Sequence, residues 1–218
     1  ENGLIPPLSF IPLAEENGLI IPIGYWAIEA VCIQLVEWQA NPLTAELCIS
    51  INISALQFRQ TDFSHRLKQV LLSTGANPRL LTLELTESVL LNDLDHVIHI
   101  MLDLRAIGVR FSIDDFGTGY SSLTYLKRLP LDEIKIDKSF VTDLMNDPGD
   151  RAIIRSILIL AKSLNLNVTA EGIELPEQRD FLYQEGCDAF QGFLYGKPIA
   201  IDEFNTYIND FSSTKNVH

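Results

Sequence analysis

Seven carboxylates fall near the ends of β-rich segments of this chain. Glu84 and Glu87 lie in "LELTES", Asp114 and Asp115 in "SIDDFGTGYSS", Asp137 in "LDEIKID", and Glu171 and Glu174 in "TAEGIE". Asn52 in "INIS" and Gln191 in "FQGFLYGKP" add neutral oxygens, and Lys135 adds one cation. An ionised carboxylate taken out of water without a partner is costly, and neighbouring carboxylates repel one another. Lys135 offsets one charge. Hard divalent cations such as Mg²⁺ or Mn²⁺ can offset the rest, because they take oxygen ligands from carboxylates, amides and water. No histidine occurs in these segments, which argues against a histidine-type zinc site. The competing expectation is a network of ion pairs and helix caps; Glu87 and Asp137 each fit a loop or cap role.

To act together, these residues must be carried to one rim. The chain alternates strand-like and helix-like segments. Strands are expected over 45–54, 79–87, 109–115, 131–137, 166–174 and within 187–198. Helices are expected over 24–39, 56–73, 89–107, 121–128, 150–164, 176–185 and 201–209. Gly108 is placed to stop the third helix, and Pro176 to start the sixth. The apolar face of the helix over 150–164 is assigned to Ile153, Ile157, Leu160, Ala161 and Leu164.

Repeated β-then-α units mean parallel strands joined by helical crossovers. In such folds the active site lies at the C-terminal ends of the strands, where these polar residues fall. An open doubly wound sheet and a barrel both fit the pattern. The adjacent Asp114 and Asp115 pose a geometric problem, because neighbouring side chains on a strand point to opposite faces. The expectation is that Asp114 is the last inward residue of the strand and Asp115 the first of the turn. Their carboxylates then converge, with Glu84 and Asn52 close to Asp114.

The whole chain is compatible with one domain. It has 218 residues, 47% of them hydrophobic and 21% charged, and a formal net charge of −13. That charge disfavours a nucleic-acid polymer as partner but not an anionic ligand received by bound cations. Cys32, Cys48 and Cys187 lie far apart and read as reduced thiols of a cytoplasmic protein. The apolar runs 19–23 and 153–164 fall short of the roughly 20 residues of a membrane span. "GTGYSS" is neither G-x-G-x-x-G nor a P-loop, so its glycines read as a sharp turn. His96 and His99 read as a solvated helix face, and Tyr25, Trp26 and Trp38 as core or interface.

Taken together, "FIPLAEENGLI", "INIS", "LELTES", "IDDFGTGYSSLTYLKRLPLDEIKIDKSF", "TAEGIE" and "GCDAFQGFLYGKP" closely resemble the EAL-type cyclic di-GMP phosphodiesterases. The resemblance runs along nearly the whole chain. It implies an α/β fold, a modified (β/α)8 TIM-like barrel, and metal-dependent hydrolysis of cyclic di-GMP to linear pGpG with two Mg²⁺ or Mn²⁺ ions per site. It implies that Asn52, Glu84 and Asp114 are metal ligands and that Asp115 holds the second metal. Lys135 is expected beside the attacking water and the phosphate, Glu171 in metal or water activation with Glu174 as its acidic neighbour, and Gln191 near the catalytic water. Glu87 is expected to steady the loop that includes Phe116, Gly117, Thr118, Gly119, Ser121 and Ser122, which in the family couples dimerisation to activity. The Glu-Ala-Leu tripeptide itself is absent from these residues, so the first barrel strand is expected to be missing. Residues 1–218 are then one EAL-type domain, the C-terminal part of a larger signalling protein. A cytoplasmic homodimer behind sensory or cyclase-like domains follows from the resemblance, with a membrane-anchored sensor protein as one form of the whole. The rival reading is a receptor module that binds cyclic di-GMP without cutting it.

Overall fold

The computed structural model describes residues 5–91, 93–119 and 123–215. Helices α1 (Pro7–Glu16) and α2 (Ile20–Gln39) lead into strand β1 (Ile49–Ile53). There follow α3 (Ala55–Phe58), α4 (Phe63–Thr74), β2 (Leu81–Thr86), α5 (Leu94–Arg105), β3 (Arg110–Phe116), α6 (Leu123–Leu126) and β4 (Glu133–Ile136). The chain continues through α7 (Lys138–Thr142), α8 (Pro148–Ser163), β5 (Asn167–Ala170), α9 (Pro176–Gln184), β6 (Ala189–Phe190) and α10 (Ile201–Lys215). All six strands are parallel and pair in sequence order, in a curled half-barrel sheet. The expected α/β barrel architecture is therefore present, with β1 and β6 at the two ends of the described row.

Alternation along the strands sorts side chains onto two faces. Leu81, Leu83 and Leu85 of β2, Phe111 and Ile113 of β3, and Ile134 and Ile136 of β4 are buried. They share one core cluster with helix residues such as Leu67, Met101, Leu104, Ile154 and Leu182. Burying each such side chain contributes roughly 1.5–3 kcal/mol. The intervening positions are polar: Thr82 and Glu84, Ser112 and Asp114, Lys135, and Thr169. Polar residues thus recur down one whole face of the sheet, where the sequence reading placed them only near the strand ends.

Several elements differ from the expected ones. The single helix expected over 56–73 is two, because Ser54 caps α3, accepting from the Gln57 N–H, and the chain turns before α4. The helix expected from residue 89 starts at Leu94, capped by Asp93, after a 3-10 turn over Glu87–Leu91. Helix α8 buries Ile154, Ile157, Leu158 and Ala161 and leaves Ile153 39% exposed, so its core face is rotated by about one residue from the expected stripe. Helices α1 and α7 were not anticipated. Helix α2 begins at Ile20 and is 20 residues long. By length and composition it could cross a membrane, contrary to the expectation that no segment reaches that length. Here Ile28, Cys32 and Leu35 on it are fully buried in the core.

Candidate active site at the C-terminal rim

Lys135 stands on the polar face of β4 and is only 5% exposed. Its Nζ lies 2.9 Å from Glu84 Oε1 on β2 and 3.5 Å from Asp114 Oδ1 on β3, and it also contacts Glu171 Oε1 just beyond β5. The Glu84 contact reaches across an intervening strand, which the concave face of a curled sheet allows. Burial opposes the charge on Lys135. The carboxylates of Glu84, Glu171 and Asp114 outweigh it and hold the ammonium's pKa above the ordinary lysine value.

The problem of the two adjacent aspartates is solved by a β-bulge. Ile113 pairs with Ile134 and Phe116 with Ile136, so β3 carries one more residue than β4 between those rungs. Asp115 takes the surplus with a left-handed backbone, φ 52°. Its N–H donates to Asp114 Oδ1 at 3.1 Å. A bulge of this kind re-aims a side chain and breaks the alternation locally. Asp115 is therefore inside the strand as a bulged residue, not the first residue of the turn as expected, and Phe116 also belongs to β3. The outcome expected for the carboxylates holds: ligand oxygens of Asp114, Asp115 and Glu171 lie within 4.8 Å of one another.

Crowding acidifies nothing here; it does the reverse. Burial and the charges of Asp114 and Asp137 push the Asp115 carboxyl up to about 6. Burial likewise raises Glu171, and Lys135 only partly pulls it back. Asp137 moves the other way. Burial works against its ionisation, but hydrogen bonds from Ser139 and Asp115 hold it below the usual carboxylate value. Asp137 caps α7, accepting from the Ser139 N–H at 2.9 Å, so it joins a helix cap to the acidic cluster. Its sequence position allowed the cap but gave no sign of the contact with Asp115.

The segment after β3 is clamped by Glu87, whose Oε1 accepts from the Gly117 N–H at 3.0 Å. Gly117 has φ 99°, a conformation other residues rarely take, and a Cβ on Gly119 would collide with the Glu87 carboxylate. Thr118 folds back, its hydroxyl donating to the Asp115 carbonyl at 2.8 Å. Ser121 and Ser122 lie outside the described residues. Arg59, which the sequence reading missed, donates from Nη2 to the Ser88 carbonyl at 2.8 Å and so braces the stretch that carries Glu87.

Asn52, Glu174 and Gln191 sit at the same ends of their strands but are exposed. Asn52 is the rung opposite Glu84. Gln191 is fixed through its backbone, donating to Ala170 O at 2.9 Å and accepting from the Ile173 N–H at 3.0 Å. Among the described residues, no hydrogen bond or ion pair links these three side chains to the Lys135 cluster. The donor set suits a hard divalent cation: three converging carboxylates, two of them with raised pKa values, face a single buried ammonium.

Comparison with known proteins agrees with this geometry. The EAL domain family model matches residues 1–198. The bifunctional diguanylate cyclase/cyclic di-GMP phosphodiesterase MucR of Pseudomonas aeruginosa is 44% identical over 203 residues, which is 93% of this chain and 30% of that protein. The cyclic di-GMP phosphodiesterase PdeR of Escherichia coli is 40% identical over 207 residues, 95% of this chain and 31% of that protein. The chain thus spans less than a third of the length of these curated relatives. A solved structure of PaMucR phosphodiesterase in its c-di-GMP complex superposes with a TM-score of 0.90 at 44% identity, covering 94% of this chain and 82% of that one. The manganese and cyclic di-GMP complex of Klebsiella pneumoniae BlrP1 gives a TM-score of 0.75 at 29% identity, covering 90% and 49%.

Proposed function

The chain belongs to the EAL domain family, and from that premise we propose that it hydrolyses cyclic di-GMP to linear pGpG with the help of two divalent cations, Mg²⁺ or Mn²⁺. The observation that carries this reading is the convergence of Asp114, Asp115 and Glu171 beside the buried Lys135. The names of the relatives, two of them phosphodiesterases for this dinucleotide, point the same way.

Asp114, Asp115, Glu84 and Asn52 would hold the cations. When bound, such ions lower the pKa of a water and offset negative charge on a phosphate. Lys135 would lie against the phosphate oxygens, where a fixed cation in a water-poor site stabilises developing charge. Glu171 would take the proton from the attacking water at its Oε atoms. Its place beside Lys135 and the two aspartates puts those atoms at the cluster where the water would lie. Gln191 and Glu174 would orient the water and its neighbours from the rim. Glu87 would set the position of residues 116–119 over the site, through the Gly117 N–H.

In the whole protein the domain would act in the cytoplasm as a homodimer, behind sensory or cyclase-like domains. The small share of the relatives that it spans, and the diguanylate cyclase activity in the name of one of them, support the further domains. The test is a timed reaction with cyclic di-GMP and Mg²⁺ or Mn²⁺, resolved by chromatography. Accumulation of pGpG supports the reading; tight binding with no product would make the domain a receptor instead.

A further inference from the structure

Gln178 is a polar side chain with no place in the chemistry above, yet it is only 3% exposed. Its Oε1 accepts from two backbone N–H groups, those of Glu174 and Leu175, each at 2.9 Å. Its Nε2 donates to the Val141 carbonyl at 2.9 Å. Part of this is ordinary capping. The N-cap of α9 is Leu175, whose side chain accepts nothing, so a glutamine at the third helical position takes the orphan N–H. A cap, however, needs neither the second N–H nor the bond to Val141, which belongs to a different β-α unit.

Those two extra bonds join the two segments that carry the chemistry. One is the stretch 171–175, which leaves β5 with Glu171 at its head. The other is α7, which leaves β4 and begins at Asp137, the partner of Asp115. The start of 171–175 is held to β4, with the Glu171 N–H donating to Ile136 O at 3.1 Å. Its middle is held to the turn after β6, with the Ile173 N–H donating to Gln191 O at 3.0 Å. Between these anchors Gly172 takes a left-handed backbone, φ 71°, against Lys138 at the start of α7. The end of the stretch is held by Gln178. Without it, the Glu174 and Leu175 N–H groups lose their acceptor, the Val141 carbonyl keeps only bonds within its own turn, and the link from 171–175 to α7 at this end is gone.

We propose that Gln178 is a positioning residue, which keeps the Glu171 carboxylate on Lys135 by tying the segment after β5 to the helix after β4. The proposal rests on the hydrolytic reading above. A displacement of about 1 Å in a catalytic group can cost about 100-fold in rate. Gln178→Ala is therefore expected to lower kcat about 10- to 100-fold with KM within about threefold. Gln178→Glu keeps an oxygen for both N–H groups but has no donor for the Val141 carbonyl, so it breaks the tie to α7 and should also lower kcat. A part in stability alone would lower the melting temperature but leave kcat per folded molecule unchanged.

The experiment is kcat and KM for cyclic di-GMP with Mn²⁺, normalised to folded protein, for the unmodified chain and these variants. Loss of kcat per folded molecule in both variants supports the proposal. Unchanged kcat in Gln178→Ala, or full kcat in Gln178→Glu, overturns it. If Gln178→Ala does not fold, Gln178→Asn replaces it: the amide is kept but is one methylene too short to span both sides, and full kcat in it overturns the proposal. If the unmodified chain makes no pGpG, the hydrolytic reading has failed, and a crystal structure of Gln178→Ala decides the positioning alone. Glu171 displaced from Lys135 supports it, and Glu171 still on Lys135 overturns it.

Discussion

Two lysines of this protein meet carboxylates at hydrogen-bond distance, with opposite consequences. On the outer surface, Lys68 of α4 lies 2.5 Å from Asp103 of α5, with the lysine 31% and the aspartate 41% exposed. There the lysine and the Ser64 hydroxyl simply lower the pKa of Asp103. At the rim, Lys135 meets three carboxylates with its own side chain 6% exposed, and Glu171 still ends with a raised pKa. The contact is the same; water and the number of acids differ. An exposed pair is worth about 0–1 kcal/mol. A buried cation shared by several anions leaves charge unbalanced, and that imbalance is what a second cation or a proton can use. The surface pair links two helices, whereas the rim leaves negative charge that a bound cation would offset.

The comparison breaks most sharply at Lys135. With the lysine buried among three acids, Lys135→Ala should cost about 3–5 kcal/mol in metal-free protein. Added Mg²⁺ should restore part of that, and turnover should fall at least about 100-fold. Melting curves with and without Mg²⁺ and a turnover assay check all three. A variant as stable as the unmodified protein in chelator would put the rim in the same class as the surface pair.

Asp115→Asn comes next. Asparagine tolerates the left-handed backbone that the bulge imposes, so the fold should hold while a carboxylate is removed. Turnover should drop about 100-fold with the melting temperature nearly unchanged, because the lost group acts on the chemistry. Activity near that of the unmodified protein would mean that Asp115 only relieves crowding. Gly119→Ala should act more weakly. A methyl there meets the Glu87 carboxylate and should loosen its grip on Gly117, lowering turnover about tenfold with a small loss of stability.

The smallest effect belongs to the surface. Lys68→Ala should change stability by less than about 1 kcal/mol and leave turnover unaltered. The pH dependence has a definite sign. Asp103 has a lowered pKa in the folded state, so its contribution is complete above about pH 4 and fades as the pH falls through the folded value. Acid unfolding curves of the two proteins should therefore converge at low pH. A difference that persists at the acid end would show that Lys68 supports the fold in some other way.

Much of this was legible in the sequence. The parallel α/β order follows from alternating periodicities, and the rim from polar residues late in each strand. The residues with chemistry, Lys135, Asp114, Asp115, Glu84 and Glu171, are types that a buried strand does not carry without a reason. What could not be read is set by backbone geometry and long-range contact. The bulge at Asp115 depends on the register between β3 and β4, which no local pattern encodes. The polar inner face at Thr82, Ser112 and Thr169 looks like ordinary alternation until the sheet curls. Asp137 reads as a helix-cap residue, as it is, and Gln178 gives no signal of its own; their ties to Asp115 and Val141 appear only when separate β-α units are packed together. The α8 stripe was misassigned because Ile153 and Ile154 are adjacent and periodicity accommodates either.

The central claim is that the Asp114, Asp115 and Glu171 cluster binds divalent metal and is not a self-contained ion-pair network. Anomalous scattering from crystals loaded with Mn²⁺ tests it most directly. The account predicts Mn²⁺ at the oxygens of Asp114 and Asp115, with Glu84 and Asn52 among the ligands and Glu171 adjacent. Crystals saturated with Mn²⁺ but showing no anomalous density at this rim, with Lys135 still bound to its three carboxylates, would contradict it.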